Sequence, residues 1–159
     1  MAQLPDIAVE VTDLAKSYGF VVALKSVNFR IESGRYFVLL GPSGGGKTTL
    51  LRLIGGFIRP TRGRVLLHGR DVSDLPPNKR PTSMVFQSFA LFPHMTVAKN
   101  VGYGLRIRKL PVSEVLERVG DMLEMVGLTG LGDRMPHELS GGQQQRVQLA
   151  RSLVLETDI

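Results

Sequence analysis

Apolar and polar positions alternate at Ile7, Val9 and Val11, and a second alternating stretch runs through Leu24, Val27, Phe29 and Ile31. A period of two predicts half-buried strands in both places. Glu32-Ser33-Gly34 reads as a turn, and Tyr36 to Leu40 is a continuous apolar run, as expected of a strand buried on both faces. Beyond Lys47, the apolar residues Leu50, Leu51, Leu53 and Ile54 suit one face of a helix that ends at Gly55-Gly56. Val65 to Leu67 before His68-Gly69 predicts a strand and turn, Leu75-Pro76-Pro77-Asn78 a loop, and Met84-Val85-Phe86 a short strand running into Gln87. A helix is expected from Thr96 to Arg108, weakened by Gly102 and Gly104. The clearest periodicity is Val112, Val115, Leu116, Val119, Met122, Leu123 and Val126, at steps of three and four. Ser113 is the candidate cap of that helix, Glu114 and Glu117 suit its first turn, and Gly127 its end. A final helix is expected to run through Leu155. The alternation of strands and helices predicts an α/β fold, strand-rich early, with a helical block from about 96 to 134.

The 159 residues, 43% of them hydrophobic, suffice for one domain with a real core. With no cysteine, disulfides and thiolate metal sites are excluded. Met1 to Glu10 carries Pro5 and Asp6 and is too polar for a signal peptide. No apolar run approaches the roughly 20 residues that span a bilayer. The net charge of +6 could point to nucleic acid or an anionic surface. However, Arg59, Arg62, Arg64, Arg70, Lys79 and Arg80 are scattered and lack interleaved aromatics, which argues against nucleic acid.

The candidate chemistry lies in two motifs. Gly41-Pro42-Ser43-Gly44-Gly45-Gly46-Lys47-Thr48, continued by Thr49, fits G-x-x-x-x-G-K-[ST] after an apolar run and before a helix. Backbone N–H groups of such a loop cradle phosphate oxygens, and the following helix adds its positive end. Lys47 would bring charge to the β- and γ-phosphates and Thr48 a hydroxyl to Mg²⁺. The second motif is Leu139-Ser140-Gly141-Gly142-Gln143. It reads as a capping box in which Ser140 and Gln143 bond reciprocally. A cap needs no paired glycines, and bare backbone suggests that something approaches closely.

Taken in order along the chain, these motifs resemble those of the ATP-binding cassette (ABC) ATPases. Arg146, Ala150 and Arg151 continue the usual signature helix, and the resemblance covers essentially the whole chain. It implies an α/β phosphate-loop fold of the ABC nucleotide-binding-domain type, with an antiparallel β-subdomain and a helical subdomain. It implies ATP and Mg²⁺ as cofactors, with Leu139 to Gln143 closing over ATP held by the phosphate loop of a second such domain in a homodimer. Gln87 matches the family's Q-loop glutamine beside Mg²⁺ and the attacking water; by itself it is a polar residue at a strand end. Tyr18 matches the aromatic that stacks on adenine, though alone it reads as an ordinary half-buried tyrosine. Pro77 to Thr82, Gln87 to Val97 and Asn100-Val101 resemble ATPases of bacterial polyamine importers, with ferric-iron and sulfate importers as near relatives. Phe89, Leu91 and Phe92 lie where such proteins dock on a membrane subunit, or they are plain core. The implied partners are permease subunits and, indirectly, a solute-binding protein, with the chain peripheral on the cytoplasmic face of the inner membrane.

Gly45 stands where many relatives have cysteine or serine, and Thr157 where proline is usual. The family's next residues after Ile159 would be a strand ending in Asp-Glu, followed later by a histidine. None of Glu138, Glu156 or Asp158 matches those carboxylates. The expectation for residues 1–159 alone is therefore ATP binding without turnover and with limited stability. Two alternatives stand beside the importer subunit: a non-hydrolysing fragment, and a soluble ABC ATPase outside transport.

Overall fold

The computed structural model describes residues 6–88 and 90–159. They form two compact units, residues 6–82 with Asp158 and Ile159, and Ser83–Thr157.

In the first unit, β1 (Ile7–Tyr18) pairs antiparallel with β2 (Val21–Glu32) on one side and with β3 (Arg62–Leu67) on the other. β4 (Arg70–Asp71) adds to β3, giving the order β2-β1-β3-β4. Alternation puts Val9, Val11, Val65 and Leu67 on one buried face, and a bulge at Asp13, with φ 48°, brings Leu14 onto the same face. Helix α1 (Lys47–Ile54) lays Leu50 and Leu53 into the same core, while Leu51 is 47% exposed. The turn after β3 leads through β4 into an Asx-type closure. Asp71 Oδ1 accepts from the Ser73 amide at 2.9 Å and hydroxyl at 2.6 Å, and Ser73 Oγ accepts from the Val65 amide at 3.0 Å.

Those bonds to the Ser73 hydroxyl, then to its amide, hold the Asp71 carboxyl below the ordinary aspartate range. A depressed folded-state value means stability present above the unfolded pKa and lost as pH falls through the folded one. Asp71→Asn is thus expected to flatten the acid limb of a urea-midpoint-against-pH curve and leave its neutral limb parallel to wild type. An unaltered acid limb would assign that slope to other carboxylates.

The run Tyr36 to Leu40 does not form the strand its composition suggests. Among the described residues it has no ladder partner, and Tyr36, Val38 and Leu40 are 73–103% exposed. Phe37 and Leu39 point the other way: the Phe37 ring stacks on Phe29 at 5.1 Å and Leu39 packs on the sheet core. The backbone therefore keeps a two-residue alternation against one surface only, because an extended segment is buried on both faces only where it lies in a sheet with layers packed on each side. Met84 to Phe86 likewise lies outside any strand.

The second unit is helical: α2 (Val97–Val101), α3 (Tyr103–Ile107), α4 (Val112–Met125) and α5 (Gly141–Leu153). The single helix expected from Thr96 to Arg108 is two short ones meeting at Gly102, where Val115 and Val119 of α4 press closest. Thr96 caps α2, its hydroxyl accepting from the Lys99 amide at 3.3 Å. Ser113 does not cap α4. The helix begins two residues earlier, Pro111 is the capping residue, and its carbonyl accepts from the Val115 amide at 3.0 Å, which places Ser113 inside the first turn. Val115, Val119 and Leu123 face the core, whereas Val112 and Leu116 are 76% and 67% exposed. Gly127 ends the helix as expected, with φ 64°.

Candidate functional site

The candidate phosphate loop, Gly41 to Thr48, is built from the end of the Tyr36–Leu40 segment and the start of α1. Gly46 caps the helix at φ 81°, and a Cβ there would meet the Ala23 carbonyl of β2 at 2.7 Å, so only glycine lets the loop lie against the strand. The Gly45 amide donates to the Pro42 carbonyl at 3.1 Å, which rounds the loop. Lys47 Nζ donates to the carbonyls of Gly41 at 2.8 Å and Pro42 at 2.7 Å. An ammonium has three N–H groups, so one more acceptor can be served without breaking either bond. Ser43, Gly44 and Thr48 are exposed, and Thr49 is half-buried. Loop and helix start thus offer exposed backbone and a fixed cation to an anion.

Tyr18 ends β1, is 49% exposed, and has Lys16 Nζ 5.0 Å from its ring centroid. An apolar cleft of about 260 Å³ in the same unit is lined by Phe29, Ile31, Phe37, Leu39 and Ile54 among others, and shares no residue with the phosphate loop.

In the second unit the Ser140 capping box forms as expected. Ser140 Oγ accepts from the Gln143 amide at 3.3 Å, and Gln143 Oε1 accepts from the Ser140 amide at 2.9 Å. Leu139 is buried, and among the described residues nothing beyond its own helix backbone and chain neighbours lies within 4 Å of where a Cβ would sit on Gly142. The rest of α5 ties this start down. Gln144 Nε2 donates to the carbonyls of Pro136 and Leu139, and Arg146 donates to those of Val126 and Gly127, capping the end of α4. Gln87 is exposed at a bend. Leu91 packs on the helical core, and the Phe92 ring lies 4.7 Å from Tyr103. Phe89 falls outside the described residues.

Asn100 entered the sequence reading only through the importer-like Asn100-Val101 pair, and its structural role was missed. It is fully buried on α2; its Oδ1 accepts from the Phe92 amide, and its Nδ2 donates to the carbonyls of Phe92, Met95 and Thr96. The signal for its burial was an amide between apolar Val97 and Val101 on a helix. The carboxylates near the end of the chain have structural work. Glu138 accepts from the Met135 amide at 2.6 Å, which holds its pKa below the usual range, Glu156 pairs with Arg118, and Asp158 lies 3.7 Å from His68.

The ABC transporter family matches residues 24–159. The chain belongs to that family. The structure of cbiO1 from Clostridium perfringens, described as part of the ABC transporter complex cbiONQ, superposes with a TM-score of 0.83 at 32% identity, covering 95% of this chain and 62% of that one. The fold is accordingly that of an ABC nucleotide-binding domain, with its antiparallel sheet and its helices. Among curated relatives, the spermidine/putrescine import ATP-binding protein PotA of Acidothermus cellulolyticus is 54% identical over 156 residues, 96% of this chain and 40% of the relative. PotA of Frankia alni is 56% identical over 151 residues, 92% and 32%. The Fe(3+) ions import ATP-binding protein FbpC of Brucella abortus is 52% identical over 147 residues, 92% and 42%. The chain thus spans about two fifths or less of the length of the first two relatives. Membership in the ABC family carries nucleotide binding. Among the described residues, no helix is long and apolar enough to cross a membrane.

Proposed function

We propose that this chain binds ATP with Mg²⁺ as the nucleotide-binding part of an ABC importer, peripheral to the cytoplasmic face of the membrane, and that the imported solutes are polyamines. The observation that carries the nucleotide reading is the Gly41–Lys47 loop, closed on the N-terminus of α1 with the Lys47 ammonium anchored at its centre. That geometry fits a triphosphate: exposed N–H groups, the positive end of a helix, and a cation with a donor to spare. Among the described residues no three histidine or carboxylate side chains gather into a metal cage. The Thr48 hydroxyl at the start of α1 is a group on which Mg²⁺ would rest, together with phosphate oxygens, and the resemblance to ABC ATPases implies the Gln87 amide as a further contact. Bound there, the ion supplies charge neutralisation to the phosphates.

Ser140, Gly141 and Gly142 would meet the γ-phosphate held by a second copy, for which the open space at Gly142 leaves room. The permease would dock on the segment after Gln87, where Leu91 and Phe92 are anchored from beneath. A solute-binding protein would act through the permease. The PotA relatives favour polyamines; the FbpC relatives, only slightly less similar, support ferric iron as the second reading. Deleting the gene and measuring uptake of labelled putrescine, spermidine and ferric iron separates the two. Loss of iron uptake with polyamine uptake intact would replace the first by the second.

Adenine is assigned to Tyr18. Tyr18→Ala is expected to weaken ATP binding by about 1 kcal/mol, as for an aromatic stacked on a base, and Tyr18→Trp to retain it. Equal affinities for wild type and the alanine variant would return Tyr18 to an ordinary strand-end residue.

A further inference from the structure

Gln148 on α5 is only 4% exposed, and its Nε2 donates to the Phe86 carbonyl at 2.8 Å. Its Oε1 has no hydrogen-bond partner among the described residues. One turn further on, Arg151 Nη1 donates to the Ala90 carbonyl at 2.8 Å, and its guanidinium carbon lies 4.8 Å from the Phe92 ring centroid. A spacing of three puts both side chains on one face of the helix. The two carbonyls they hold, at 86 and 90, bracket Gln87. Ala90 sits at φ 47°, a conformation an alanine keeps only where its surroundings hold it there.

Core packing alone does not account for Gln148. A buried amide with one end unpaired is a liability to folding, and an apolar side chain of similar size would remove it. What the amide does provide is a fixed point for the residue directly before Gln87. We propose that Gln148 is a positioning residue for Gln87: together with Arg151 it makes the signature helix fix the backbone on both sides of Gln87, and so sets where the Gln87 amide meets Mg²⁺ on bound ATP. This rests on the role proposed for Gln87. It also links the two nucleotide-sensing segments of one chain, because the helix that begins at Ser140–Gln143 is the helix that carries the clamp.

The test uses the intact protein with a non-hydrolysable ATP analogue, titrated with Mg²⁺, for wild type, Gln148→Leu, Gln87→Ala and the double variant. Gln148→Leu is expected to raise the Mg²⁺ concentration at half-saturation about threefold to tenfold, the loss of one neutral hydrogen bond. Binding of the analogue without Mg²⁺ should not change, nor should the melting temperature fall. The double variant should be no worse than Gln87→Ala, since both act through one amide. In nucleotide-free protein, amide hydrogen exchange at 86–90 should quicken in Gln148→Leu. A wild-type Mg²⁺ response in Gln148→Leu beside a shifted Gln87→Ala overturns the proposal, as does additivity in the double variant or unchanged exchange. An unshifted Gln87→Ala instead removes the role of Gln87, and the proposal with it. Should leucine unsettle the core, Gln148→Met repeats the series, and a folded methionine variant with the wild-type response overturns it equally.

Discussion

Lys47→Ala in the intact protein is expected to lose nucleotide binding by on the order of a hundredfold or more. Two contributions add. A charge-assisted bond to phosphate is worth about 1.5–3 kcal/mol, and a triphosphate meets more than one such bond at a lysine. The same ammonium also holds the carbonyls of Gly41 and Pro42, so its removal frees the loop that presents the backbone N–H groups. Lys47→Arg should not restore binding. A planar guanidinium spreads its donors in a fork and cannot serve two loop carbonyls and a phosphate from one point. Calorimetric titration with a non-hydrolysable analogue reads the effect, and equal affinity in wild type and Lys47→Ala would remove the loop from nucleotide binding. Because Lys47 opens α1 at its exposed end, the melting temperature should change little, which separates this loss from unfolding.

The glycine turn before α1 and the capping box at Ser140 were legible because both rest on local backbone chemistry. Gly46 must adopt φ 81° beside β2, and Ser140 and Gln143 bond within three residues, so the residue types announce the geometry. The pattern at Val115, Val119 and Leu123 was legible for the same reason, since one helix face meets one core. Tyr36 to Leu40 was misread because an apolar run states what the side chains prefer and not which strands flank them; its observed one-sided packing is set by Phe29, seven or more residues away. Ser113 was misread because Pro111, a residue whose side chain cannot cap, supplies the helix start through its carbonyl. Arg80, Asn100 and Gln148 were invisible as buried residues. Each is polar, and its burial comes from carbonyls that the chain brings in from elsewhere, which no periodicity encodes.

Arg80 carries the second large effect. It is 6% exposed, and its guanidinium donates to four carbonyls: Leu53 and Ile54 at 2.8 Å, Leu75 at 2.8 Å and Ser73 at 3.2 Å. Burial pushes its pKa down, with Asp71 and Asp74 opposing, yet an arginine keeps its charge. The carbonyls of Leu53 and Ile54 lie at the C-terminal end of α1, where Leu53 also accepts from the Gly56 amide at 3.2 Å, so a cation there adds a charged donor and complements the helix dipole. Gly56 makes the approach possible, since a Cβ on it would fall 2.4 Å from Arg80 Nε. Arg80→Met keeps much of the volume and takes a charged donor away from four acceptors, of which Leu53 alone keeps a bond to the Gly56 amide. The expected loss is about 3–5 kcal/mol, from buried carbonyls left without a donor at about 1–3 kcal/mol each, and is a large share of a typical domain's stability. Arg80→Lys should recover only part, because three donors at one nitrogen cannot reach carbonyls spread around a planar fork. Urea unfolding of the intact protein measures both, and a loss under about 1 kcal/mol for Arg80→Met would mean that water takes over the four carbonyls. Since α1 runs from Lys47 to the residues Arg80 holds, the folded remainder of Arg80→Met should also bind nucleotide more weakly, with Lys47 itself untouched.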